Sequence, residues 1–320
     1  MAVIVAIIAI AFLALTTGQP PLSLERVLAS LCGTGTGMEN FVLLTVRIPR
    51  FLTSLLVGAA LAVGGAIFQS ISRNPLGSPD IMGFNAGAAT GGLIAMFIFN
   101  MIGFGLVVGA IIGGLSTAAC IYFLSMKKGV RGYRLILIGI GISPLLSAFN
   151  TFILTRANVN KAQDAAFWLT GSLNGAGWED VWPVAIALGA LLVFTQPLRH
   201  DLDILEMGDE LAASLGVRVE GVRRGAIAAG VGLAATATAC AGPVSFVALS
   251  APHITRGLTP GSVLRLSTCC LVGALLLSAS DLLAQRAIPA TSFPVGIVTG
   301  ALGGIYLAGW LIMAWRRSSR

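Results

Sequence analysis

Long apolar blocks alternate with short polar connections along the whole chain. Ten blocks are candidate membrane spans, at about residues 1–17, 49–71, 82–100, 104–126, 134–155, 180–198, 221–240, 242–257, 263–284 and 294–315. A helix needs roughly 20 apolar residues to cross the hydrocarbon core of a bilayer, and only the eighth block is clearly short. The pattern predicts an all-α polytopic membrane protein of about ten transmembrane helices, in a single transmembrane domain over residues 1–320.

The composition favours the same class of protein. Hydrophobic residues make up 56% of the chain and charged residues only 10%, whereas a soluble domain carries about a quarter charged residues. The five cysteines have no metal-ligand spacing, and no cluster of Asp, His or Tyr able to hold a metal ion is visible, so we predict no metal site. The sequence has no catalytic constellation and no G-x-x-x-x-G-K-[ST] motif, so we predict no catalytic residues and no ATP hydrolysis by this chain.

The basic residues predict the orientation of the chain in the membrane. If both termini are cytoplasmic, most Lys and Arg residues fall in cytoplasmic loops, as the positive-inside rule requires. Those left outside are Arg26, Arg47, Arg50, Arg156, Lys161 and Arg286. The cytoplasmic loops then account for the net charge of +7, so we predict contact with membrane lipid and no nucleic-acid partner.

One cytoplasmic segment, Arg199 to Arg224, is rich in acidic residues and carries an apolar stripe. Gly208 and Gly216 would divide it into short helices. A solvated loop and a docking platform for a soluble partner are both consistent with this pattern. Elsewhere the spans hold almost no ionisable residues; the main exception is Asp281, near the outer end of the ninth span and within reach of Arg286. A proton-relay chain is therefore not visible.

Several long stretches resemble one family. They are RIPR (47–50), LLVGAALAVGGAIFQSISRNPLGSPDIMGFNAGA (55–88), LEMGDELAASLGV (205–217), GPVSFVALSAPHITR (242–256) and FPVGIVTGALGGIYL (293–307). Together they resemble the FecCD/BtuC-type permeases of bacterial ABC importers for iron-siderophores, haem and vitamin B12. The resemblance implies a type II ABC importer permease fold of ten helices and a non-enzymatic subunit.

The resemblance also implies a set of partners. These are a second permease subunit, as a paralogue in a heterodimer, two ATPase subunits, and a substrate-binding protein that delivers a ferric siderophore of the catecholate, enterobactin-like class. The chain itself would bind no cofactor, and ATP and Mg would be used by the partner ATPase. The expected location is the cytoplasmic (inner) membrane. The alternatives are a haem or cobalamin importer of the same family, or a secondary transporter that works without ATP.

The family's site residues carry over by position. Within a coupling segment of about residues 199–220, Glu210 precedes Gly216 by six residues, as in the coupling motif of importer permeases, although Leu211 stands where that motif has alanine. We expect Leu205, Met207 and Leu211 to enter a cleft on the ATPase. The full predicted ATPase-coupling set is Leu205, Glu206, Met207, Asp209, Glu210, Leu211 and Gly216, the acidic members meeting basic groups or helix N-termini of the ATPase.

Two further sets follow from the resemblance. Arg47, Arg50 and Arg286 would dock the binding protein, although snorkelling to lipid headgroups is the alternative. Translocation-pathway residues are expected on the fifth and tenth spans, where interhelical hydrogen bonding is the alternative. These residues are Ser143, Ser147, Asn150, Thr151 and Thr299. In the irregular stretch 73–92, Asn74 and Asn85 are expected to satisfy free backbone groups.

Overall fold

The computed structural model describes residues 1–101, 103–126, 132–259, 266–287 and 293–318. Within these ranges the regular structure is entirely helical. The helices are α1 (Ala2–Thr16), α2 (Leu24–Leu31), α3 (Gly37–Asn40), a π-helical segment (Phe41–Arg47), α4 (Ile48–Ser72), α5 (Phe84–Phe97), α6 (Phe104–Ser125), α7 (Gly132–Arg156), α8 (Val159–Leu169), α9 (Trp178–Thr195), α10 (Leu198–Glu206), α11 (Asp209–Ser214), α12 (Val219–Ala241), α13 (Val247–Leu258), α14 (Leu266–Ala284) and α15 (Val295–Ser318).

Each of the ten predicted spans overlaps one long or apolar helix: α1, α4, α5, α6, α7, α9, α12, α13, α14 and α15. Six described helical stretches are long and apolar enough to cross a membrane, and α1, α5 and the described part of α15 are shorter apolar helices. The prediction of an all-α polytopic fold is therefore confirmed. Lys127, Lys128 and Arg131, which the sequence assigns to a basic loop on the cytoplasmic side, lie outside the described residues.

The second span is longer than predicted. It runs as one helix from Gly37 to Ser72, whereas the sequence predicts a span that begins at about residue 49. Pro49 has no N–H to donate, and immediately before it the Ile48 N–H bonds to Leu43 O, five residues back. The π-helical segment thus lets the helix continue through the proline, a local adjustment that apolar periodicity does not report.

The core forms around α4 and α12, the two most buried spans. α4 packs on α14 with almost no space between backbones: a Cβ added at Gly58 would lie 2.3 Å from Gly273 O, and one added at Gly273 would lie 2.3 Å from Gly58 O. Small residues allow this approach, which replaces the hydrophobic driving force that helices lack in lipid. By contrast, α7 presents most of its surface outward.

Two helices, α5 and α13, are too short to cross a bilayer alone. With 14 and 12 residues they extend about 21 and 18 Å, against a hydrocarbon core of roughly 30 Å. α5 follows the irregular connection 73–83, where Asn74 Oδ1 accepts from the Leu76 N–H at 2.9 Å, as predicted. The corresponding prediction for Asn85 is wrong: its buried amide makes no hydrogen bond to the described residues.

Candidate functional site

Two short helices, α10 and α11, form the predicted coupling segment. They meet at Gly208, where φ is +127°, and α11 is followed by Gly216, where φ is +86°. Side chains other than hydrogen are disfavoured in this region of φ. The two glycines therefore divide the segment into short helices in the way the sequence predicted.

Glu206 ties the end of α10 to two membrane helices. Its Oε1 accepts a hydrogen bond of 2.6 Å from the Ser70 hydroxyl near the end of α4 and lies 3.4 Å from Arg256 Nη2 of α13. Arg256 also donates to Gln69 Oε1 at 3.2 Å. A displacement of α10 would therefore pull on α4 and α13 together.

Asp209, at the start of α11, makes a second set of ties. Its Oδ1 lies 3.0 Å from Arg223 Nη2 of α12 and 3.4 Å from Arg73 Nη2, just after α4. The Arg223 side chain is only 1% exposed, so this contact reaches into the core. Glu206 and Asp209 are thus bound to groups of their own chain, whereas the sequence analysis expected them to meet groups of the ATPase.

The solvent-exposed face of the predicted coupling segment carries apolar side chains and one acidic residue. Met207 is 67% exposed and Leu211 is 44% exposed, and Glu210 beside them is also exposed. The prediction that Leu205 enters a cleft on the ATPase is wrong, because Leu205 is 0% exposed. It lies three residues from buried Leu202 on the same face of α10, which packs into the core.

Two of the three arginines predicted to dock the binding protein contact structure around the end of α1. Arg47 donates through Nη1 to Leu15 O at 2.6 Å and through Nη2 to Pro20 O at 2.5 Å. Arg286 donates to Leu13 O at 3.1 Å. Among the described residues neither of these two arginines has a carboxylate partner.

Arg50 differs from the other two because it forms an ion pair inside the protein. Arg50 Nη2 lies 2.8 Å from Asp281 Oδ1, and Nε lies 3.0 Å from Oδ2; the side chains are 17% and 5% exposed. Gln285 also donates to Asp281, at 2.7 Å. The sequence places Asp281 within reach of Arg286, but the two form no ion pair. α14 ends at Ala284, before Arg286, whose guanidinium donates to Leu13 O, while Asp281 faces α4.

A polar cleft of about 320 Å³ brings three predicted pathway residues together. Ser147, Asn150 and Thr151 of α7 line it. Asn150 is held in place by the Thr90 hydroxyl of α5, which donates to its Oδ1 at 2.7 Å. We call this space the polar cleft; its other lining residues are Asp80, Asn85, Ala86, Ala89, Leu169, Pro243 and Ser245.

The two remaining pathway residues lie elsewhere. Thr299 lines a separate, mostly apolar cleft of about 250 Å³ beside Phe246 and Tyr306. Ser143 packs against Gly83, where φ is +80° and an added Cβ would lie 3.2 Å from the Ser143 Cβ. Ser245 lines the polar cleft and Phe246 the apolar one, so the two spaces flank the start of α13.

Asp80, Arg223 and Arg256 were not among the predicted site residues. Asp80 lies in the irregular stretch before α5, and its Oδ2 accepts from the Phe246 N–H at the start of α13, at 3.3 Å. Arg256 falls at the end of the predicted eighth span. Arg223 likewise falls in the predicted seventh span. An ionisable residue within a span was the available signal for the two arginines, whereas Asp80 lies between two predicted spans and gave no such signal.

The whole chain matches a known family. The model of the FecCD transport family covers residues 6–314. The chain belongs to this family. FecCD proteins of this kind are permease subunits of ABC importers for metal chelates and siderophores, and ATP hydrolysis takes place in separate subunits.

Individual FecCD relatives agree over nearly the full length. The chain is 44% identical over 303 residues to the ferric enterobactin transport system permease protein FepG of Escherichia coli K12, covering 95% of this chain and 92% of FepG. It is 36% identical to the iron(3+)-hydroxamate import system permease protein FhuG of Bacillus subtilis 168, covering 96% and 94%. A metal-chelate type ABC transporter solved in an inward-facing conformation superposes with a TM-score of 0.85 at 29% identity, covering 98% of both chains.

Proposed function

We propose that this FecCD permease moves an intact ferric siderophore of the catecholate, enterobactin-like class across the cytoplasmic membrane by alternating access. The observation that carries the substrate class is the 44% identity to FepG over 95% of the chain, against 36% to FhuG, whose name gives a hydroxamate substrate. The protein would bind no cofactor of its own, and ATP and Mg would be consumed by partner ATPase subunits.

The exposed face of the coupling segment supports docking of an ATPase. Met207 and Leu211 are exposed apolar side chains on a surface that, with both termini cytoplasmic, faces the cytoplasm. Their burial in a cleft would remove apolar area from water, which is favourable. Glu206 and Asp209 then have a different role: their contacts to α4, α12 and α13 would transmit movement of the docked ATPase to the membrane helices.

An outward apolar surface supports pairing with a second permease subunit. Leu137 and Leu145 of α7 are 63% and 70% exposed, and Ile305 of α15 is 72% exposed. The polar cleft opens beside α7, so a partner packed there would close the pathway between the two subunits. The pairing with a paralogue, as a heterodimer, follows the resemblance to FepG.

Docking of a substrate-binding protein would use Arg47 and Arg286 more than Arg50. The charge of Arg50 is already neutralised by Asp281, whereas the other two arginines bond to carbonyl oxygens. Attraction between these two arginines and carboxylates on the binding protein would orient the binding protein and raise its rate of association with the permease.

The substrate class is tested by a panel of chelates. Cells that lack this subunit, with and without the restored gene, would be supplied with radio-iron as ferric enterobactin, a ferric hydroxamate or ferric citrate, with haem and labelled cobalamin as separate arms. We expect restoration of uptake with ferric enterobactin alone. Restoration only with another arm, with the partner proteins present, would contradict the catecholate assignment and leave the importer fold intact.

A further inference from the structure

Asp80 and Asn85 bring buried polar atoms to the polar cleft, and these atoms have no hydrogen-bond partner among the described residues. Asp80 Oδ2 accepts from the Phe246 N–H at 3.3 Å, but Oδ1 is buried without a partner. Asn85 is 4% exposed, and neither its Oδ1 nor its Nδ2 is bonded. Such groups are rare in folded proteins, and a bound ion is one recognised reason for them.

The rest of the cleft supplies oxygen atoms and no positive charge. Ser147, Asn150, Thr151 and Ser245 add hydroxyl and amide oxygens, and no Lys, Arg or His is among the residues that line it. Asp80 is therefore the single formal charge of the lining. An anion would be repelled by this carboxylate, while a hard cation prefers such oxygen ligands.

The charge count points to a monovalent ion. One carboxylate neutralises one positive charge, whereas sites for divalent ions gather several acidic ligands. In the described parts of the chain no group of three or more His, Cys, Asp or Glu residues could hold a metal ion. Soft or transition metals are therefore poorly matched to the cleft.

The cleft lies where two short helices begin. α5 starts at Phe84 and α13 at Val247, so the chain is irregular on both sides of the cleft, at 73–83 and 242–246. In membrane transporters, the interruptions of discontinuous helices are places where ions are coordinated. Asp80 lies in the first interruption, and its Oδ2 accepts from the Phe246 N–H in the second, so this residue connects the two. Its other oxygen, Oδ1, has no partner among the described residues.

We propose that the polar cleft binds a monovalent alkali cation, Na⁺ or K⁺, with Asp80 Oδ1 as the charged ligand and Asn85 Oδ1 as a neutral one. The ion would join the connection before α5 to the start of α13. It would also offset the negative charge of Asp80 beside a pathway for anionic substrate.

The test is the thermal stability of the purified full-length protein in detergent, titrated with NaCl or KCl against N-methyl-D-glucamine chloride at constant ionic strength. We expect one alkali ion to raise Tm saturably by about 3 °C or more, because a ligand that binds only the folded state stabilises it. Asp80→Asn should abolish this rise because it removes the charged ligand. The amide oxygen of the variant can still accept from the Phe246 N–H, so the contact with the start of α13 is kept. Glu25→Gln removes an exposed acidic group on α2 and should keep the full response.

A direct measurement covers the case in which Asp80→Asn does not fold. Binding of ²²Na⁺ and ⁸⁶Rb⁺ to the wild-type protein should saturate at one ion per chain, and Asn85→Ala should weaken it at least about tenfold. Equal Tm in all three salts together with no saturable isotope binding would overturn the proposal and leave the cleft filled by water. An alkali response that Asp80→Asn and Asn85→Ala both retain would overturn it as well.

Discussion

The ion pair between Arg50 and Asp281 gives the sharpest prediction about what holds α4 to α14. At 2.8 Å between Nη2 and Oδ1, the gross attraction is about 6 kcal/mol with an effective dielectric constant of about 20. Desolvation cancels much of this, so the net value of the pair is small. Loss of one partner is different, because it leaves a buried charge uncompensated at a cost of about 3–5 kcal/mol.

We therefore expect Arg50→Met and Asp281→Leu each to destabilise the protein, and the double variant to recover most of the loss. For Arg50→Met the cost should be near the lower figure, about 3 kcal/mol, because Gln285 still donates to Asp281. The assay is thermal unfolding of the purified protein in detergent, arranged as a double-mutant cycle. A drop in Tm of at least about 5 °C is expected for each single variant.

Uptake measurements distinguish a structural role of the Arg50–Asp281 ion pair from a role of Arg50 in docking the binding protein. If Arg50 acts through Asp281, the double variant should regain uptake along with stability. The reasoning is refuted if the two single losses simply add in the double variant, or if each single variant unfolds within about 1 °C of the wild type. Full stability with lost uptake in Arg50→Met would instead assign Arg50 to the docking surface.

Three further expectations concern other parts of the chain. Glu210→Lys should reduce co-purification of the ATPase subunit with the permease without lowering Tm, since Glu210 is exposed. Leu205→Ala should lower the free energy of unfolding by about 2–5 kcal/mol and leave co-purification intact, while Leu211→Ala, at a 44% exposed side chain, should reduce co-purification and leave stability unchanged. Gly58→Ala should cost at least about 1–3 kcal/mol, because its Cβ would lie 2.3 Å from a carbonyl oxygen of α14, whereas Gly189→Ala, with open space around it, should not lower Tm.

Each expectation can fail on its own terms. Undiminished ATPase capture by Glu210→Lys would remove this residue from the docking surface. Matching losses of stability in the two leucine variants would mean that burial does not distinguish them. A Gly58→Ala protein as stable as Gly189→Ala would show that α4 and α14 can separate at little cost.

The helices of this protein could be predicted from the sequence because a membrane imposes length and apolar composition on each span. Their boundaries were less accessible. The continuation of the second span through Pro49 depends on a π-helical segment, and the short α8 has an ordinary polar composition that gives no span signal. Local backbone geometry decides both.

The site was predictable at the level of segments and less so for single side chains. The predicted coupling segment is divided into short helices at the two glycines, and Ser147, Asn150 and Thr151 meet in one cleft. The prediction that Leu205 faces outward was wrong because the sequence around it shows an apolar stripe but not which neighbour covers that stripe. Likewise Asp281 pairs with Arg50, which is 231 positions away along the chain, and only the packing of α14 on α4 brings the two residues together.

The most direct test of ATP-driven chelate import is transport by the reassembled complex. The permease, a second permease subunit and the ATPase subunits would be placed in proteoliposomes with ATP on the ATPase side and the binding protein loaded with ferric enterobactin on the other. Accumulation of radio-iron that requires ATP, and that is lost with a hydrolysis-deficient ATPase, is the predicted result. Accumulation at the same rate without ATP, or with the hydrolysis-deficient ATPase, would contradict it.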